Sequence, residues 1–554
     1  MSDSETIKVS QPLVSRLMKR AKAMRTLIRF VMDNPEMVKD VLLSSPDLRR
    51  RLLVAAFRVA AGLVAAVVAY RWLRGRASPA APSEPPSAAS LSVSRGWDWR
   101  KVREQVRDRQ VPLPAVLVEL SALRANVRRY AAVALAEKKT IRVASKSVRC
   151  PHLLRLILEG GEEEEEDPKE RNGKGGGEEE EEEIVELDFR SAFRGVMCFS
   201  VEEAAFLYEN HGMDDLLVAY PAVQEHELAT AFRLTQAGAK LVLTVDCVTH
   251  LSLITSFWAR QSSSLPTVPS SSNQPHEEVD EMVKPAFISL DVDVSWRPFG
   301  NVHLGALRSP LREMGQVERM VELATGEEAR KWVRLCGVMA YEAHVAGLPD
   351  ASPHDWAVGR LAKQLFRHFA SGQVRAKRGA IAELIRRRGV TLEFFNGGGT
   401  GSFLEAVQEP WLTEVTVGSG FLQSELFDHY RDSRSRPALA FALAVTRIPQ
   451  QDVVTCQGGG FVSSGAVEAS KQPTPFLPLS MEASSVEGFG EVQTPVSISR
   501  QAQLALSLRH GDPLLFRPAK AGEIAERFSS YHLFERQALV SQVSTYRGLG
   551  QEFH

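Results

Sequence analysis

A lysine just past a short apolar run, in Val143-Ala144-Ser145-Lys146-Ser147-Val148-Arg149, is the first place where residue type and setting could do chemistry. Lysine held at the end of a buried strand is partly desolvated. Desolvation favours the neutral amine, which can condense with a carbonyl carbon to give a Schiff base. The same segment also reads as a surface lysine at the start of a loop. Far downstream, Phe395-Asn396-Gly397-Gly398-Gly399-Thr400-Gly401-Ser402 joins an apolar run to a helix starting near Leu404. Glycines let backbone N–H groups close on an anion, and a helix N-terminus adds positive potential. Thr400 and Ser402 contribute hydroxyls. This is the composition of a phosphate cradle, although the Gly-Lys-Ser/Thr ending of a P-loop is missing; a flexible turn is the plainer reading. Gly418-Ser419-Gly420 ends the next apolar run, and it either meets the same anion or is a simple turn.

The elements that must position these groups form a repeating pattern. Apolar runs at 114–119, 140–145, 195–199, 215–220, 240–245, 286–292, 335–340, 391–395 and 414–417 read as strands. Helical stretches follow several of them, at 122–136, 152–158, 201–210 and 225–236. The runs are mostly apolar rather than alternating, as expected for strands covered on both faces. About eight strand-then-helix units predict an α/β fold, a (β/α)8 TIM-like barrel, whose active sites lie at the strand C-termini. Tyr220, Asp246, Asp291, Asp293, Arg297, Tyr341 and His344 fall at such ends, and each alone is more readily a structural polar group. After residue 427, short strands at 440–445, 452–455, 490–496 and 513–516, separated by Gly and Pro clusters, predict a β-rich C-terminal domain.

Composition bounds the rest. The 554 residues carry a formal net charge of -1, so no global field recruits nucleic acid. Five cysteines without a C-x-x-C pair argue against a disulfide framework or zinc knuckle and for a reducing compartment. Residues 1–92 form a helical, basic extension, with fifteen Lys/Arg against six Asp/Glu up to Arg76, closing in a Pro/Ala/Ser-rich linker. Within it, Leu52–Leu73 is interrupted by Arg58 and leaves an uncharged run of only twelve residues. A bilayer span needs about 20 apolar residues. The stretch therefore stands between a membrane-associated helix and an ordinary one with organelle-targeting character. Segments 161–183, with its glutamate blocks, and 262–280, rich in Ser and Pro, read as solvated insertions in a barrel spanning 93–427.

The segments VASKSVR, LLVAYP, KLVLTVDC, SLDVDVS, GVMAYEAH, FFNGGGTGS and EVTVGSGF, in this order, resemble the fold-type III family of pyridoxal-phosphate enzymes. That family includes D-threonine aldolases, eukaryotic-type D-serine dehydratases and the alanine racemase N-terminal domain. The resemblance covers residues 111–430 well and the C-terminal domain loosely. It implies pyridoxal 5'-phosphate as cofactor, with Lys146 as the Schiff-base lysine. Gly398, Gly399, Thr400 and Gly401 would hold the phosphate, with Gly418 and Ser419 beside them. Tyr341 resembles a tyrosine lining the cofactor pocket. Arg297 matches an arginine near the cofactor's phenolic oxygen, with a spacing from Asp291 that is off by one.

One departure changes the chemistry. Aldolases and dehydratases of the family carry a C-terminal His-x-Cys or His-x-Asp pair for a divalent metal. Here Pro518 and Lys520 stand in those places, and neither is a plausible ligand. No metal is therefore expected there, although His510, Glu523 and His532 lie close enough in sequence to offer another set. The implied activity is that of a lyase, aldolase or racemase acting on a small, D-configured amino acid. Lys146 would serve one face of Cα, and Tyr341, His344, Tyr531 and His532 are candidates for the other acid/base. A non-catalytic cofactor carrier and a membrane-tethered interaction protein are the alternatives from other classes. Analogy with the fold adds a homodimer.

Overall fold

The computed structural model describes residues 87–162, 188–264, 283–297, 303–465 and 469–553. All of them belong to one unit, Pro86–His554. The basic extension with its 52–73 stretch, nearly all of the glutamate insertion and most of the Ser/Pro insertion lie outside the described residues. Among the described residues, no helix is long and apolar enough to cross a membrane.

Eight parallel strands close into a barrel. Strand β1 (Ala115–Glu119) precedes it, and the barrel strands follow as β2 (Thr140–Ala144), β3 (Phe193–Cys198), β4 (Asp215–Val218) and β5 (Lys240–Val245). They continue as β6 (Ala286–Asp291), β7 (Val333–Met339), β8 (Phe394–Gly397) and β9 (Glu414–Val417). The ring closes where β9 pairs with β2, Val417 opposite Val143. Helices such as Pro151–Leu158, Val201–His211 and Glu225–Ala237 return the chain after successive strands. Their caps are legible: Ser200 accepts from the Glu203 N–H at the start of Val201–His211, and Gly212 and Gly238 end that helix and the next with positive φ.

The barrel interior is not purely apolar. A small cluster of Leu217, Val242, Cys336, Met339 and Phe394 fills one layer. Beside it, the fully buried Arg142 of β2 reaches Glu414 of β9 at 2.8 Å and Asp215 of β4 at 2.7 Å. Asn396 of β8 donates to the same Glu414 at 2.9 Å. Burial works against the guanidinium charge, but the two carboxylates outweigh it and hold the group firmly protonated. These contacts cross the barrel and fix how its strands meet.

The expectation for residues 114–119 is corrected. That run is a strand, yet it lies outside the barrel: β1 pairs with β10 (Leu439–Gln450) and with Ser530–Glu535 in the second sheet. All five of its residues are buried, so its apolar pattern is the same as that of a barrel strand. The β-rich part is a nine-stranded sheet built around β1 and β10, with Val453–Gln457, Gln493–Ile498 and Pro513–Arg517 near their expected places. Thr474–Leu477, Met481–Ala483, Ser530–Glu535 and Ala538–Ser544 are strands the sequence reading did not anticipate. The 31-residue helix Ala357–Arg387 was also unanticipated.

Replacing Arg142 with Leu would leave the buried Glu414 with only the more distant Arg194, 3.8 Å away. Breaking one partner of such a pair costs about 3–5 kcal/mol. Urea denaturation of Arg142→Leu is expected to show a loss of that size, and a loss below about 1 kcal/mol would deny the pair its role.

Candidate functional site

The C-terminal ends of the barrel strands gather the sequence candidates at one rim. Lys146 sits on the turn Ser145–Ser147 that leaves β2. Next to it, Gly418 at the end of β9 packs so closely that a Cβ there would lie 2.9 Å from both the Ala144 Cβ and the Ser147 Oγ. The Ser147 and Ser419 hydroxyls are 3.0 Å apart. Thr400 Oγ1 in turn accepts from the Gly420 N–H at 3.1 Å. The lysine turn, the Gly418-Ser419 turn and the Gly397–Gly401 turn are therefore contiguous.

Water reaches the Lys146 side chain, but protein walls most of the space around it. Burial disfavours its charged form, and Arg308, Lys520 and Arg149 add positive charge nearby. The amine consequently titrates below the usual lysine range.

The glycine turn is held from behind by a buried carboxylate. Glu342 accepts from the Gly398 N–H at 3.1 Å and from the Ser402 hydroxyl at 2.6 Å. Arg378 of the long helix pairs with Glu342, reaches Glu409 at 2.8 Å and donates to the Ala340 carbonyl. Burial alone would raise the Glu342 carboxyl, but Arg378 and the hydrogen bonds bring it below the ordinary range. Gly398 has φ +79°, and a Cβ on Gly397 would strike Arg378 at 2.5 Å, so both positions need glycine.

Tyr341 lies against this turn: a Cβ on Gly399 would sit 3.1 Å from its ring. The side chain is 37% exposed, and the protein around it together with Glu342 raises the phenol above its ordinary value, so the hydroxyl stays protonated. His344 follows on the short helix Ala343–Ala346, with both ring nitrogens buried and without a hydrogen-bond partner. Burial lowers its pKa, which leaves the ring neutral.

Arg297 pairs with Asp293 at 3.0 Å. The arginine whose charge reaches both Lys146 and Tyr341 is Arg308. Arg308 is fixed by Asp291 at 2.6 Å and the Ala219 carbonyl at 2.6 Å, and it stacks over the Tyr220 ring. It lies in an irregular stretch seventeen positions beyond Asp291, where no periodicity or motif marks it. Glu342 and Arg378 were missed for a similar reason, because a helix interior and a strand end give no sign that they will meet.

The C-terminal sheet completes the rim. Gly522 packs on the Lys146 backbone, where a Cβ would lie 1.8 Å from the Lys146 carbonyl oxygen. Lys520 donates to the Ser464 carbonyl at 2.9 Å and hydroxyl at 3.1 Å, with Glu523 alongside. The alternative set of His510, Glu523 and His532 does not assemble, since Glu523 is taken by Ser464 and Lys520. Tyr531 is fully buried, donates to the Val148 carbonyl and is raised by burial, which makes it structural. His532 is buried on its strand and kept neutral by burial.

With this geometry, comparison with solved structures becomes informative. D-threonine aldolase from Filomicrobium marinum superposes with a TM-score of 0.59 at 15% identity, covering 80% of this chain and 96% of that one. D-threo-3-hydroxyaspartate dehydratase from Delftia sp. HT23 gives 0.55 at 16%, covering 78% and 97%. An alanine racemase-like protein from Idiomarina loihiensis gives 0.53 at 13%, covering 78% and 96%. The chain has the alanine racemase-like, fold-type III fold. No protein-family model and no curated protein matches it.

Behind the lysine turn of this alanine racemase-like barrel lies a titrating carboxyl. Glu203 is fully buried and accepts from the Phe199 N–H at 2.8 Å and the Tyr546 hydroxyl at 2.9 Å. Burial lifts it from 4.5 to about 7, against the pull of Ser145, Phe199, Tyr546 and Arg149. A raised acid favours folding in its protonated form. Its contribution is full below pH 4.5 and is lost as pH rises to about 7. Melting temperatures of wild type and Glu203→Gln should therefore diverge in favour of the variant across that window and run parallel above it. A constant difference throughout would rule the titration out.

Proposed function

We propose that this protein is a pyridoxal-phosphate enzyme acting on a small, D-configured amino acid as a lyase, aldolase or racemase, with the cofactor held covalently by Lys146. One observation carries the reading: a lysine with a depressed pKa shares a rim with two contiguous small-residue turns. The donor set suits the cofactor. Ser147, Ser419, Thr400 and the backbone of Gly401, with Gly418 alongside, are the groups for its phosphate, while the Gly398 and Gly399 N–H groups are spent on Glu342 and Ser402 and shape the turn. When bound, the cofactor supplies an electron sink that acidifies the Cα proton of an attached amino acid.

The chain's own residues then divide the work. Lys146 is the base for one face of Cα, because its surroundings favour the neutral amine. Arg308, braced by Asp291, presents positive charge to an anionic ring oxygen. Tyr341 stays a phenol and covers the glycine turn. Lys520 brings a monovalent cation to the place where the resemblance expects a divalent one, so substrate oxygens are met by an ammonium. That replacement also favours a second reading, a cofactor-binding protein without turnover.

The decisive experiment is absorption spectroscopy of the purified chain, followed by borohydride reduction and peptide mass mapping. Wild type is expected to show a visible band and a reduced cofactor adduct on Lys146. Lys146→Ala should show neither, and an adduct elsewhere would overturn the assignment. Turnover of a D-amino acid separates the enzyme from the carrier.

Glu342→Gln tests the support of the glycine turn. Hydrogen bonds to a charged group contribute about 1.5–3 kcal/mol. Cofactor affinity of Glu342→Gln should fall by about tenfold or more in equilibrium titration, while unchanged affinity would detach Glu342 from the site.

A further inference from the structure

We propose that Asp246, Cys247 and His250 form a binding site for one divalent transition-metal ion of the zinc type. The three residues follow the end of β5, where the strand runs into the helix Val248–Ser264. One ligand atom from each lies within 4.8 Å of the others. Among the described residues, this is the one such group of three.

A second observation points to an ion. Asp246 Oδ1 and His250 Nδ1 are 2.9 Å apart. Both atoms are buried, and neither makes a hydrogen bond of acceptable geometry. Asp246 as a whole is only 7% exposed. A proton on Nδ1 can bridge this pair, and a metal ion held by both atoms would take the place of that proton and satisfy two buried polar groups at once.

The donor types select the ion. A thiolate, an imidazole and a carboxylate form a set suited to zinc or cobalt, whereas magnesium and calcium prefer all-oxygen surroundings. Three protein ligands leave a fourth tetrahedral position free for water or an oxygen ligand. Cys247 is partly exposed, which gives the ion a route in. Asp291 and Arg308 are the charged neighbours of Asp246, and they largely balance each other. The site is on the same rim as Lys146, and Arg308 acts on both. Metal binding itself does not depend on the cofactor reading.

Cobalt(II) titration of the chelator-stripped, untagged full chain tests the proposal. The Lys146→Ala background removes cofactor absorbance, and wild type is measured in parallel by metal analysis. One equivalent of cobalt should produce visible d–d bands and a near-ultraviolet thiolate-to-cobalt band, both abolished by zinc. Cys247→Ser should eliminate the charge-transfer band. Asp246→Asn and His250→Ala should weaken binding by more than about 100-fold, beyond the usual effect of residues that merely orient a ligand. His510→Ala should bind as the parent does. A parent that takes up no stoichiometric cobalt, or a charge-transfer band that survives in folded Cys247→Ser, would overturn the site and leave a plain Asp246–His250 ion pair.

Discussion

The Glu342–Arg378 pair is the interaction on which the glycine turn depends. A run of small residues has little conformational preference of its own, and glycine loses more freedom on ordering than any other residue. Something must hold the turn in one shape. Glu342 does so from its buried side, taking the Gly398 N–H and the Ser402 hydroxyl on its two oxygens. A carboxylate in that position would be costly alone. Arg378 makes it tenable, and the same guanidinium binds Glu409 and the Ala340 carbonyl. One buried cation thus joins the long helix, the end of β7 and the turn after β8.

The lysine is governed by the opposite arrangement. Among the described residues, the charges that act on Lys146 are the cations Arg308, Lys520 and Arg149. The nearby acids are already engaged: Asp291 with Arg308, Glu526 with Arg149, and Glu523 with Lys520. The rim keeps its net charge moderate while the ammonium form of Lys146 stays unfavourable. An anionic group entering this region would meet the positive charges of Arg308 and Lys520 beside Lys146.

How far the sequence spoke depended on the range of the interaction. Lys146 at the end of β2 and the Gly397–Gly401 turn after β8 were legible because each is written in a few consecutive residues. The barrel pattern puts both at strand C-termini, and the Ser147–Ser419 and Thr400–Gly420 contacts link the turns that carry them. Arg308, Glu342 and Arg378 were not legible. Each takes its meaning from a partner tens of residues away, and nothing local distinguishes them from solvated charges. Strand β1 shows the same limit from another side. Five buried residues look alike whether a barrel or a flanking sheet covers them, and only pairing with Leu439–Gln450 and Ser530–Glu535 decides between the two.

That pairing also explains how the C-terminal sheet comes to supply part of the site. Strand β1 runs directly into the helix Leu120–Ala136, which packs on the barrel and leads to β2 and Lys146. A strand from the start of the chain is therefore clamped between two strands from its end. Any shift of the second sheet is transmitted along a short covalent path to the lysine turn. Gly522 makes the reverse connection, its backbone resting on the Lys146 carbonyl too closely for any side chain. With the sheet tied to the barrel at both points, Lys520 is placed as firmly as a barrel residue.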